Sequence, residues 1–197
     1  MLTLAVIAST ILLTGVEIPD NTLNEMALTP SWIAVIVIGA PLTEELMFRS
    51  WLSGRPGHLI AGLLIGASIV ALPALTAATP GNDVYVSAAL GAVLAICVFS
   101  LWRWRRSPPF KWFSRLFPVI FWLVALSFAL IHLINYEAAS LLVLLPLVIP
   151  QLIAGTLFGY ARVQYGLWAS IMLHALHNGS AVVAMLIAQA NAPAGAG

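Results

Sequence analysis

A series of long apolar stretches constrains this chain more than any other feature. A transmembrane helix needs roughly 20 predominantly apolar residues, whereas the strands of a membrane barrel are about ten residues long and alternate in polarity. The stretches here are long and apolar on all sides, so they predict membrane-spanning helices. There are seven of them, at about 2–16, 31–53, 57–78, 84–104, 116–136, 138–160 and 168–190.

Composition and charge agree with a membrane protein. Hydrophobic residues make up 61% of the chain and charged residues 8%, against roughly a quarter charged in soluble domains. The net charge is +1, which gives no basic excess for nucleic-acid binding. We therefore predict one all-α, polytopic domain over residues 1–197 that contacts membrane lipid and no nucleic acid. The tail at 191–197 is predicted to be flexible, and the oligomeric state is left open.

The basic residues orient the predicted helices. Five of the eight lie in the connection between the fourth and fifth segments: Arg103, Arg105, Arg106, Lys111 and Arg115. Because cytoplasmic loops are enriched in Lys and Arg, this connection is predicted to be cytoplasmic. Counting outwards places Arg55 and Arg162 on the same side, the amino terminus inside and the carboxyl terminus outside. The expected location is the bacterial inner membrane.

Two glutamates and an arginine lie near the end of the second segment. A carboxylate in the membrane costs at least about 2.5–3.5 kcal/mol, so a pair of them indicates a functional site. Arg49 follows Glu45 by four residues and can pair with it, which leaves Glu44, about 100° around the helix, free to face a cavity. Pro41 should release the Val37 carbonyl and favour a kink or a new helix start before Glu44.

Three histidines lie within the later apolar segments. His132 is in the fifth segment, and His174, His177 and Asn178 share one face of the seventh, because helical neighbours are three and four residues apart. A single histidine in a membrane helix commonly makes only a helix–helix hydrogen bond. Three histidines together with two glutamates favour a functional site.

Two pairs of glycines, Gly62 with Gly66 and Gly155 with Gly159, are spaced by three residues. Small residues at this spacing let membrane helices approach closely. We interpret both pairs as packing motifs.

Three short motifs occur in a fixed order: Glu-Glu-x-x-x-Arg at 44–49, Phe-x-x-x-His at 128–132 and His-x-x-x-Asn at 174–178. In this order they resemble the motifs of the CPBP (Abi) intramembrane proteases, which include type II CAAX prenyl endopeptidases and bacteriocin-processing or immunity proteins. The resemblance implies an endopeptidase that cleaves a membrane-associated or prenylated peptide. The stretch 57–115 would then be a two-helix insertion between the first two motifs.

The resemblance also implies roles for the motif residues. Glu44 and His132 would activate a water, and His174 and Asn178 would form the oxyanion hole. Glu45, Arg49 and Phe128 would support them. His177 falls outside the motifs, and we expect it to make a structural hydrogen bond.

Other functions are compatible with the same residues. Glu and His are also zinc ligands, so a zinc-dependent intramembrane protease is an alternative, although His-Glu-x-x-His is absent and we expect no cofactor. A non-catalytic immunity or binding protein could retain the fold without cleavage. A proton-coupled transporter could use such residues too, but no inverted repeat is evident.

Overall fold

The computed structural model of the chain describes residues 28–136 and 141–191. Their helices are α1 (Pro30–Arg49), α2 (Pro56–Ala78), α3 (Asp83–Arg103), α4 (Lys111–Ile131), α5 (Leu141–Leu147), α6 (Ile149–Tyr165) and α7 (Leu167–Ala190). A 3₁₀ turn, His132–Asn135, extends α4. The predicted all-α, polytopic class is confirmed. The first apolar segment and residues 192–197 of the tail lie outside the described residues.

Five of these helices are long and apolar enough to cross a membrane: α1, α2, α3, α4 with its 3₁₀ extension, and α7. The predicted sixth segment differs from expectation, because it is divided at Val148 into α5 and α6. Pro150 lies in the first turn of α6, where its missing N–H leaves no hydrogen bond unmade. Gly166, with φ of 98°, then ends α6 and leads directly into α7.

A π-helical turn, Val35–Gly39, interrupts α1. The Ala40 N–H bonds to the Val35 carbonyl, five residues back, and the next residue, Pro41, has no N–H to continue this pattern. The carbonyl left without its helical donor is therefore that of Ile36. The predicted irregularity before Glu44 is present, but the π turn moves the released carbonyl one residue back from Val37.

The helices with the motif residues pack around one core. α1 contacts α7 and α4, and α6 contacts both α4 and α7. Phe128, Ala154 and Phe158 form the buried centre, with Phe48 packed against it. α2 and α3 pack on each other as a hairpin, and α2 also contacts α1. Large apolar residues of the hairpin, such as Leu63, are exposed, as a lipid-facing surface requires.

Three of the four glycines in the predicted packing motifs do permit close contact. An added Cβ would lie 2.8 Å from an aromatic neighbour in each case: Gly62 from Trp51, Gly155 from Phe128 and Gly159 from Phe121. Gly66 is the exception, since no described atom lies within 4 Å of its added Cβ. Gly57 has a closer contact, at 2.5 Å from the Ser100 carbonyl oxygen.

Replacing either Gly57 or Gly66 of α2 by alanine should separate the effect of close packing on stability from the effect of helix propensity. We expect Gly57→Ala to lower the free energy of unfolding by about 1–3 kcal/mol, because its Cβ would meet backbone that cannot rotate away. Gly66→Ala is the control and should be neutral or stabilising by up to about 1 kcal/mol. Unfolding of both variants in mixed micelles measures this, and equal losses would contradict the packing at Gly57.

Candidate active site

A buried ion pair lies at the centre of the site. Glu45 and Arg49 are both 0% exposed, and Arg49 Nη1 donates to Glu45 Oε1 one turn away on α1. Arg49 Nη2 donates to the Gly155 carbonyl oxygen of α6 at 3.3 Å, and the guanidinium carbon lies 4.3 Å from the centre of the Phe128 ring. Arg49 therefore joins α1 to α6 and α4.

Helix α7 supplies further partners of the Glu45 carboxylate. His174 Nδ1 lies 2.9 Å from Glu45 Oε1, and the Ser170 hydroxyl donates to Glu45 Oε2. Ser170 also lies 2.8 Å from the Phe158 carbonyl oxygen. Sequence analysis did not identify Ser170, although it precedes His174 by one helical turn and so shares its face. Both oxygens of Glu45 are thus engaged.

Glu44 has a different environment, although it is adjacent in sequence. Its side chain is 28% exposed, and its Oε2 lies 3.8 Å from His174 Nε2, beyond hydrogen-bonding distance. This oxygen is buried and has no hydrogen-bond partner among the described residues. Glu45 therefore accepts a hydrogen bond on each oxygen, whereas Glu44 has an oxygen that bonds to no described residue.

His132 ends α4 and begins the 3₁₀ turn. Its Nδ1 lies 2.7 Å from the Phe128 carbonyl oxygen, and its ring centre lies 4.8 Å from that of Phe128. Because a carbonyl only accepts, Nδ1 carries the hydrogen, and Nε2 of the neutral ring is an acceptor. The same Phe128 ring lies 5.7 Å, between centres, from the ring of His174. Phe128 thus contacts both histidines, and His174 in turn lies beside Glu44.

Asn178 and His177 lie on the same helix but differ in their contacts. Asn178 Nδ2 donates to the Ile36 carbonyl oxygen at 2.9 Å, which supplies the hydrogen bond that Pro41 cannot. His177 is exposed, and its ring contacts Phe158 with 5.8 Å between centres. Its side chain makes no hydrogen bond to any residue in 28–136 or 141–191, so the expected structural hydrogen bond is not found there.

The profile of the family described as Type II CAAX prenyl endopeptidase Rce1-like matches residues 26–180. The chain belongs to this family. The match includes every residue of the site above, and it makes the chain an integral membrane protein of the CAAX protease type. Comparison with curated proteins and with solved structures gave no match.

The different bonding of the two glutamates predicts different effects on stability. We expect Glu45→Gln to lower the free energy of unfolding by about 3–5 kcal/mol, because it leaves the buried Arg49 charge uncompensated. Glu44→Gln, at an oxygen without a protein partner, should change it by less than about 1 kcal/mol. Unfolding in mixed micelles tests both, and comparable losses would show that Glu44 also supports the fold.

Proposed function

We propose that this chain is an intramembrane endopeptidase in which Glu44 is the general base. The observation that carries the proposal is the buried Glu44 Oε2, which has no partner among the described residues, next to a fully buried Glu45 carboxylate with a hydrogen bond on each oxygen. A general base needs an acceptor within hydrogen-bonding reach of the water it deprotonates. Glu44 offers such an acceptor, and Glu45 does not.

His132 is the second water ligand in this proposal. Its Nδ1–H is directed to the Phe128 carbonyl, so its Nε2 lone pair can accept a hydrogen bond from the same water. The water then has two acceptors, one for each hydrogen. Glu44 removes one proton, and the water oxygen attacks the carbonyl carbon of the scissile peptide bond, whose oxygen becomes an oxyanion. When this intermediate collapses, the C–N bond breaks and the leaving amine takes the proton that Glu44 holds.

His174 and Asn178 are proposed to stabilise the resulting oxyanion. His174 donates through Nδ1 to Glu45, so it can donate through Nε2 as well only as an imidazolium. Glu44 and Glu45 flank the ring and compensate that charge. Asn178 has a second N–H besides the one bonded to Ile36, and this can reach a substrate oxygen.

The proposed substrate is a membrane-associated or lipidated peptide, as the family suggests. In the proposed orientation the amino terminus is inside and the carboxyl terminus outside a bacterial inner membrane. Support comes from the basic residues, because Arg55 Nη1 donates to the Arg105 carbonyl oxygen, which places two basic loops at the same end of the bundle. We call this the basic end.

Cleavage by purified protein in liposomes tests the proposal and separates a protease from a non-catalytic binder. The substrates are quenched fluorescent peptides of one sequence, with and without a farnesyl group. Glu44→Gln should lower kcat by a factor of about 10²–10⁴, the usual contribution of a general base. His132→Ala should be inactive, and His174→Ala should lower kcat by a factor of about 10²–10³.

His177→Gln is the matched control for these variants, because His177 is on the same helix but exposed. We expect it to keep activity within about twofold of the unmodified protein, as surface substitutions generally do. Full activity in Glu44→Gln would refute the proposed base. Equal losses in His174→Ala and His177→Gln would place His177 in the active site.

Zinc catalysis is the alternative mechanism, with Glu44, His132 and His174 as ligands. Our proposal uses no metal, and among the described residues no three His, Cys, Asp or Glu side chains are grouped as a metal site. We predict less than one metal ion per chain by elemental analysis of active protein, and retained turnover after extensive chelation. One bound zinc per chain, with activity lost on removal and restored by adding zinc back, would establish the alternative.

A further inference from the structure

A cavity outside the candidate active site opens at the basic end of the bundle. It has a volume of about 570 Å³ and lies between the start of α2, the start of α4 and the end of α6. Three of its lining residues are basic or can become so: Arg55, His58 and Arg162. The opposite wall is apolar and includes Phe113 and Phe117.

Within the described part of the chain, no carboxylate lines this cavity. The acidic residues in the described part of the chain are Glu44, Glu45 and Asp83, and none of them lines the cavity. Gathering cations without a counter-ion is unfavourable, more so where water is partly excluded. An anion in the cavity would offset this cost.

Several hydrogen-bond donors in the cavity remain available. Arg162 is half-buried and uses Nε and Nη2 to bond the Arg49 and Ser50 carbonyl oxygens, at 2.8 and 3.0 Å, which leaves Nη1 without a partner among the described residues. His58 contacts Ser53 Oγ through Nδ1 at 2.7 Å, which leaves its Nε2. Each group is held in place by one set of contacts and has another nitrogen free.

The amino terminus of α2 adds a further positive end. Helix α2 is 23 residues long, and Arg55, its N-cap residue, provides no side-chain cap. The first-turn N–H groups of a helix have no partners within the helix, and the macrodipole makes this end attractive to anions. Arg55 and His58, at the N-cap and in the first turn of α2, both line the cavity, so this end of the helix adjoins it.

The apolar wall indicates what kind of anion fits. Phe117 is half-buried and presents part of its ring to the cavity, above a buried layer that includes Phe113 and Leu52. An inorganic ion would gain nothing from this surface, whereas a phospholipid carries a phosphate and acyl chains in one molecule. Basic pockets between transmembrane helices are typical sites for lipid headgroups.

We propose that this cavity binds the phosphate group of an anionic phospholipid, with Arg55, His58, Arg162 and the α2 amino terminus as donors and the acyl chains along Phe117. The bound lipid would also act on the active-site helix. Arg162 holds the last carbonyls of α1, so a phosphate that fixes Arg162 also fixes the end of the helix that carries Glu44 and Glu45. The proposal concerns binding and does not depend on the proposed protease activity.

Native mass spectrometry in mixed micelles of phosphatidylglycerol and phosphatidylcholine tests the proposal. The protein carries Glu44→Gln so that turnover plays no part in the result. We expect one phosphatidylglycerol per chain, bound at least about tenfold more tightly than phosphatidylcholine, and an increase in Tm on adding it. When Arg55→Gln and His58→Gln are introduced together into this protein, phosphatidylglycerol binding should weaken by about five- to tenfold. Each basic group near a membrane surface contributes measurably to the binding of anionic lipid.

Arg115→Gln is the matched control, since Arg115 is exposed at the same end of the bundle and does not line the cavity. It should weaken binding by less than about twofold. Equal weakening in the control, or no preference for phosphatidylglycerol, would overturn the proposal. Displacement of the lipid by millimolar inorganic phosphate would reassign the cavity to a free anion. Displacement by a peptide with a free carboxyl terminus, but not by its amide, would reassign it to the substrate.

Discussion

The structure depends on the burial of one ion pair, Glu45 with Arg49, in a chain made mostly of apolar residues. Two charges removed from water need hydrogen bonds to their remaining donors and acceptors, and of this pair Arg49 Nε lacks a partner among the described residues. These bonds come from outside α1: the Gly155 carbonyl from α6, and His174 with Ser170 from α7. The requirement to satisfy one pair thus determines how three helices meet, and Phe128 of α4 closes the remaining side.

The same pair explains why two adjacent glutamates can differ in role. Successive residues on a helix point about 100° apart, so Glu44 lies 3.8 Å from Nε2 of His174, whereas Glu45 bonds Nδ1 of the same ring. Glu45 takes the hydrogen bonds that stabilise the helix contacts, and Glu44 keeps an oxygen without a partner at the edge of the same cluster. A motif of two glutamates therefore contains one residue for structure and one available for chemistry.

Sequence reasoning predicted what depends on local spacing. The apolar helices, the pairing of Glu45 with Arg49 and the irregularity near Pro41 all follow from positions within one helix. It did not predict contacts between distant segments, such as that of Ser170 with Glu45, or the bond from Asn178 to a main-chain carbonyl. Any serine on the face of α7 that carries His174 would fit the spacing, so spacing alone does not single out Ser170. A main-chain carbonyl without its helical donor leaves no signal in the sequence. The division at Val148 was missed because the residues on both sides of it are apolar.

The π turn in α1 has a consequence for how this helix meets two different environments. A π turn is one residue wider than an α turn, so it changes the angular phase between the parts of a helix before and after it by about 100°. The first part and the π turn itself can then present Trp32 and Ile38, which are 45% and 64% exposed, to lipid. The part of α1 after the π turn can direct Glu44 and Glu45 inward, whichever residues of the first part face lipid. A single helix with one uniform phase would have to compromise between a lipid-facing surface and a polar one.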